Sequence, residues 1–144
     1  MAFRGHFEHS LDAKNRLSLP AKFRAAFSDG LVVGKWLDPC IAIFTPEGFD
    51  SFTATVIPTL NPLSKERRKL EGFFAHGFFD YELDSAGRIT LPATLLKQAD
   101  IEKEVVIGGT IDRVEVWDRA THAARTDELA AEVNDIAEGL PHPS

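Results

Sequence analysis

The chain has little cysteine: Cys40 is the one cysteine in 144 residues. It can close no disulfide within itself, and it offers no cysteine-based zinc site. No apolar run approaches the roughly 20 residues that a bilayer span requires. The opening stretch, MAFRGHFEHS, has no apolar segment of signal-peptide length. These absences point to a cytoplasmic protein without membrane contact. Common catalytic signatures are missing too. There is no His-x-x-x-His pair, no Gly-x-Ser-x-Gly elbow and no phosphate-binding glycine loop. His6 and His9 stand three apart on an expected strand and so face opposite sides. His76 sits among phenylalanines and reads as a packed residue. Gly108-Gly109 reads as a bend between strands. We therefore expect no catalytic residue, no metal, no cofactor and no small-molecule substrate.

Net positive charge is also absent. Sixteen Lys and Arg stand against 22 Asp and Glu, giving −6. The average argues against nucleic-acid binding, but the distribution does not. Residues 1–35 hold six basic groups and three acids, a net +3. Residues 118–144 hold two basic groups and six acids, a net −4. A basic head and an acidic tail imply different partners for the two ends.

What is present is a repeat. Gly5–Phe27 recurs as Gly77–Ala99, with eight of 23 positions identical, including Asp12/Asp84, Arg16/Arg88, Leu19/Leu91 and Pro20/Pro92. A strand-rich stretch follows each block, 31–44 and 105–117, with one extra residue near Pro39 in the first. A period of half the chain predicts duplication, with two copies packed about a pseudo-twofold axis.

Within each copy, Phe7, His9 and Leu11, or Phe79, Tyr81 and Leu83, alternate as a short half-buried strand. An Asp-x-x-x-Arg loop follows. Its fourth position, Asn15 or Gly87, suits a left-handed turn, and Asp12 or Asp84 can bond nearby backbone amides. Leu17–Leu19 and Ile89–Leu91 then form a second strand. Pro20 begins a helix over PAKFRAAF and Pro92 one over PATLLKQA. A hairpin of longer strands closes each unit, turning at Leu37-Asp38 and Ile111-Asp112. Between the copies, Pro58 and Pro62 precede a helix with Ser64 as N-cap. Leu63, Leu70, Phe73 and Phe74 can share its apolar face. The run Lys65–Lys69 reads either as a basic patch or as a solvated face paired with Glu66 and Glu71. A C-terminal helix is expected from about Thr121 to Glu138, with Leu129, Ala130, Val133 and Ile136 or Ala137 on one side. GLPHPS reads as disordered. The units are thus 1–57, 58–76 (connector), 77–125, and 126–144 (helix and tail).

The opening MAFRG, the paired signatures DAKNRLSLP and DSAGRITLP, the central NPLSKERRKLEGFF and the VEVWD near the end resemble the MraZ family of bacterial transcriptional regulators over roughly residues 1–125. The resemblance implies an α+β, β-rich fold of tandem swapped-hairpin units of the SpoVT-AbrB type with peripheral helices. It also implies a ring-shaped homo-oligomer, nucleoid-associated, that binds double-stranded DNA upstream of the division and cell-wall gene cluster, usually as a repressor. The first loop departs from the family's common glycine by carrying Asn15.

The copies differ in charge. Residues 12–27 carry +3 and residues 84–99 carry +1, because Lys14, Lys22 and Arg24 become Ala86, Thr94 and Leu96. Phosphate neutralisation drives non-specific affinity, and arginine can read guanine in the major groove. We expect Lys14 and Arg16 as central DNA contacts and Arg4, Lys22 and Arg24 as phosphate contacts. Asp12, Asn15, Asp84, Gly87 and Arg88 are expected to shape the loops. The competing reading is that Asp12 and Arg16 merely bridge each other, as Asp84 and Arg88 do. One basic loop on an acidic chain binds weakly, so several loops in a ring should supply affinity on short, evenly spaced direct repeats. The alternative function is a protein-binding module of the same fold, an antitoxin-like neutraliser or assembly scaffold docking through the acidic helix.

Overall fold

The computed structural model describes residues 2–141. The end of the expected disordered tail, residues 142–144, lies outside them. Alternating apolar positions produce the strands β1 (His6–Ser10), β2 (Arg16–Ser18), β3 (Leu31–Lys35), β4 (Cys40–Phe44), β5 (Phe78–Tyr81), β6 (Arg88–Thr90), β7 (Glu104–Gly109) and β8 (Val114–Asp118). The helices are α1 (Ala21–Arg24), α2 (Pro46–Val56), α3 (Lys65–Gly77), α4 (Ala93–Gln98) and α5 (Arg119–Glu138).

The two copies exchange strands. The main sheet runs β1-β7-β8-β4-β3-β5, and β2 pairs with β6 in a separate ribbon. Each copy's first strand therefore lies against the other copy's hairpin. The register obeys the repeat: Phe7 faces Ile107 while its counterpart Phe79 faces Val33. Ala42 pairs with its own counterpart Glu115, and Leu17 with Ile89. A pseudo-twofold axis thus passes through both pairs. Residues 1–57 and residues 77–125 each contribute four strands to this shared arrangement. The fold is α+β and β-rich, with two swapped-hairpin units and peripheral helices.

One face of the main sheet buries Leu31, Val33, Ile41, Ile43, Val105, Ile107, Val114 and Val116 beneath the β2–β6 ribbon and the short helices. The other face carries an aromatic cluster. Phe49 and Phe52 of α2 and Phe73 and Phe74 of α3 close over Trp36, Phe44 and Phe78. Full burial of one such side chain contributes about 1.5–3 kcal/mol.

Several local expectations change. Pro20 and Pro92 are N-caps with extended ψ of 140° and 143°, and the helices after them span only four and six residues. Helix α2 adds an element to those expected. The Thr45 hydroxyl caps it by accepting the Gly48 N–H at 2.9 Å, and Pro46 opens the first turn. Ser64 caps α3 as expected, accepting the Arg67 N–H at 3.1 Å. Leu63 precedes that helix and so leaves its apolar face; it is 85% exposed. His76 is exposed, because the buried face of α3 runs through Leu70, Phe73 and Phe74. Gly108 and Gly109 lie inside β7 rather than at a bend. Gly109 donates its N–H to the Gly5 carbonyl at 2.7 Å, and a Cβ there would strike the backbone of Phe3 and Arg4. No helix among the described residues is long and apolar enough to cross a membrane.

Candidate nucleic-acid interface

Both Asp-x-x-x-Arg loops fold the same way. Oδ1 of Asp12 accepts the backbone N–H groups of Lys14 and Arg16, each at 2.9 Å, and Oδ2 accepts Nε of Arg16 at 2.6 Å. Asp84 repeats the pattern with Ala86, Arg88 and the Arg88 Nε, all at 2.9 Å. Asn15 and Gly87 hold the left-handed φ values of 59° and 75° that this closure requires. The N–H of Arg16 bonds the anionic carboxylate directly, so the pKa of Asp12 falls to about 2. The Arg88 N–H lowers Asp84 in the same way.

The loops meet across the pseudo-twofold axis. In the β2–β6 ribbon Arg16 faces Thr90, Leu17 faces Ile89 and Ser18 faces Arg88. Leu17 and Ile89 point into the core, so alternation turns Arg16, Ser18, Arg88 and Thr90 outward. The Leu19 N–H bonds the Gly87 carbonyl at 3.2 Å and the Leu91 N–H bonds the Asn15 carbonyl at 2.9 Å, clasping each loop to the other copy. Each arginine is held at Nε alone; among the described residues Nη1 and Nη2 of both make no hydrogen bond. As a source of stability, a solvent-screened pair of this kind contributes little. Its larger effect is orientation: it fixes the guanidinium plane and leaves the two terminal nitrogens as a fork for a phosphate or a guanine edge.

The other basic residues lie in distinct places. Lys14 is exposed on the first loop, where the second carries Ala86. Lys22 is exposed with its Nζ close to Gly5, next to the exposed Arg4. Arg24 folds onto the second loop. Its Nη2 donates to the Leu19 carbonyl at 2.8 Å, and its guanidinium occupies the space that any Cβ at Gly87 would need. At the matching position of the second copy stands Leu96, which is buried. Arg88, read from the sequence as a loop-shaping residue, thus shares an outward face and an identical aspartate clamp with Arg16. The signal was the signature itself, which both copies retain. What separates the arginines is their surroundings: Lys14 and Ser10 near the first, Ala86 and Glu82 at the equivalent positions of the second.

The residues that build this clasped double loop lie within a match to a known protein family. The family described as "MraZ protein, putative antitoxin-like" matches residues 2–70 and 74–139. The chain belongs to the MraZ family. A protein named Transcriptional regulator MraZ from Thermoanaerobacter pseudethanolicus is 36% identical over 136 residues, covering 94% of each chain. One of the same name from Thermoanaerobacter sp. (strain X514) is 35% identical over 136 residues, again covering 94% of each chain. The family match runs through both loops, the ribbon between them and all of α5.

Proposed function

We propose that this protein is a sequence-specific DNA-binding transcriptional regulator of the cytoplasm, associated with the nucleoid. The observation that carries the reading is the ribbon on which Arg16 and Arg88 are clamped at Nε with their forks turned outward. A positioned fork fits the O6 and N7 acceptors of guanine or a phosphate. The names of the relatives support regulation as the outcome. Lys14 and Arg16 supply the central contacts, and Arg4 and Lys22 supply phosphate contacts. Arg24 adds positive charge while bracing the second loop. Asp12, Asn15, Asp84 and Gly87 shape the loops, and Arg88 contributes less to affinity because its loop has lost the lysine beside it. The target is a set of short direct repeats upstream of the division and cell-wall gene cluster, and the regulatory sign is repression. Affinity comes from a ring of several copies, each presenting one basic loop.

The test is a titration of the protein against the DNA upstream of its own gene at several salt concentrations. Arg16→Ala should weaken binding by about 5- to 150-fold, the range of one good base contact of about 1–3 kcal/mol. Lys14→Ala should reduce the salt slope by about 0.9 for each bound loop, one phosphate's share. Arg88→Ala should cost less than Arg16→Ala. No loss for Arg16→Ala would remove the ribbon from the interface, and equal losses would make the two loops equivalent readers.

A further inference from the structure

Helix α5 is only half used by the fold. Its first turns are anchored: Arg119 meets Glu104 at 3.2 Å, His122 packs near His6 and Trp117, and Arg125 lies over the Trp117 ring at 5.5 Å. From Ala123 to Pro141 every residue is exposed. A free helical segment this short is marginal in water and gains stability chiefly by packing an apolar face. Such a face exists. Leu129, Val133 and Ile136 are 53%, 46% and 55% exposed. Their spacing of four and three residues is that of a coiled-coil seam. Carried backwards by the same spacing, the seam reaches Thr126 and then His122, the residue that docks the helix on its own sheet. The stripe is therefore a continuation of a packing face beyond the edge of its sheet.

Charge indicates what covers it. Beyond Arg125 the segment carries Asp127, Glu128, Glu132, Asp135 and Glu138 and no basic residue. Pairing two such helices would set five acids against five. The complementary surface lies at the start of α3. There Leu63 is 85% exposed beside exposed Lys65, Arg68 and Lys69, while Arg67 is engaged by Glu71 at 3.8 Å. The positive end of the α3 dipole adds to the attraction. Helix α3 packs at β5, one edge of the main sheet, whereas α5 is rooted on β7 and β8 towards the other edge. The exposure of the stripe shows that the chain's own α3 does not cover it.

We propose that the exposed stripe of α5 docks onto Leu63 and the basic start of α3 in a second copy of this chain, head to tail. The proposal rests on the self-association proposed above and supplies its contact. Two different surfaces form a heterologous interface, which leaves each copy one free end of each kind and closes into a ring when the rotation permits.

The test uses the full-length chain at micromolar concentration, with mass read by light scattering. One variant carries Val133→Glu and Ile136→Glu, the other Lys65→Glu and Lys69→Glu. All four positions are outside the core, so circular dichroism and melting should stay as in the parent. The expected result is a multimeric parent, two monomeric variants, and a one-to-one heterodimer when the variants are mixed, because each retains the surface that the other lacks. A mixture that stays monomeric overturns the proposal. So does a lysine variant that keeps the parent's mass while the α5 variant is monomeric, which would mean that α5 pairs with itself. A multimeric parent with neither variant affected overturns this contact and leaves self-association standing, whereas a monomeric parent overturns both.

Discussion

Gly87 and Asn15 occupy the same place in the repeat, but only Gly87 has a guanidinium lying over its Cα. An alanine at φ 75° costs about 1–2 kcal/mol for the left-handed backbone alone. Gly87→Ala should exceed that in denaturant melts, because its Cβ also displaces Arg24. Removing Arg24 in the same chain should recover the excess, so the double-mutant cycle should show a coupling energy that Asn15→Ala with Arg24→Ala does not. The aspartates behave differently. The folded-state pKa of Asp12 lies below the ordinary 3.8, so its contribution to loop order is complete above that pH and is lost as pH falls through about 2. A carboxyl NMR titration should therefore find Asp12 titrating near 2, with the loop unchanged across neutral pH. A midpoint near 3.8 would mean that the clamp is not formed in solution.

Helix α5 is held to the sheet at its first turns by contacts that acidity opposes. Burial, and then the neighbouring His6, lower the pKa of His122 below the ordinary 6.5; Glu115 opposes them with a smaller effect. The unfolded or undocked form thus takes up the proton first, and docking weakens as pH falls below about 6.5. Trp117 fluorescence should shift as pH falls below about 6.5, and His122→Phe should abolish the shift. The other anchored helix depends on its cap. Ser64→Ala should cost about 1 kcal/mol, read from melting, because it orphans the Arg67 N–H. Caps and periodicity explain how much of these elements was legible in advance. Ser64, the Asp-x-x-x-Arg turns and the alternation of Leu17 to Leu19 are local signals, and each produced its element. The same kind of signal stands at Thr45-Pro46-Glu47 ahead of Phe49, Phe52 and Val56, but it follows β4 without a gap, so the strand pattern masks it. Strand exchange is another matter. Alternation says which residues of β1 face inward, and Phe7 and Phe79 alternate alike whether each pairs with its own hairpin or with the other's. The role of Arg24 was hidden for the same reason, since its seat is a glycine 63 positions away in the other copy.

At the scale of the whole molecule, the proposed function asks an acidic chain to bind a polyanion. One basic loop with a local +3 cannot offset a net charge of −6 at long range, and at physiological salt the Debye length of about 8 Å confines the attraction to the loop itself. Affinity must then come from joining loops rather than from charging one further. This separates two kinds of variant that a single binding assay would confuse. Lys14→Ala removes a contact from every loop, so it should lower both the affinity and the salt slope while leaving the mass of the assembly unchanged. A chain held monomeric by Val133→Glu and Ile136→Glu keeps every contact on its loop. It should bind a single repeat as the parent's isolated loop does, yet lose about 10²- to 10⁴-fold on DNA carrying several repeats, the range that linked sites provide through effective concentration. The comparison to make is therefore one repeat against several for both variants, with mass measured alongside. If the monomeric chain bound the multi-repeat DNA as tightly as the parent, a single ribbon with Arg16 and Arg88 would suffice for recognition, and the acidic helix would have to serve something other than assembly on DNA.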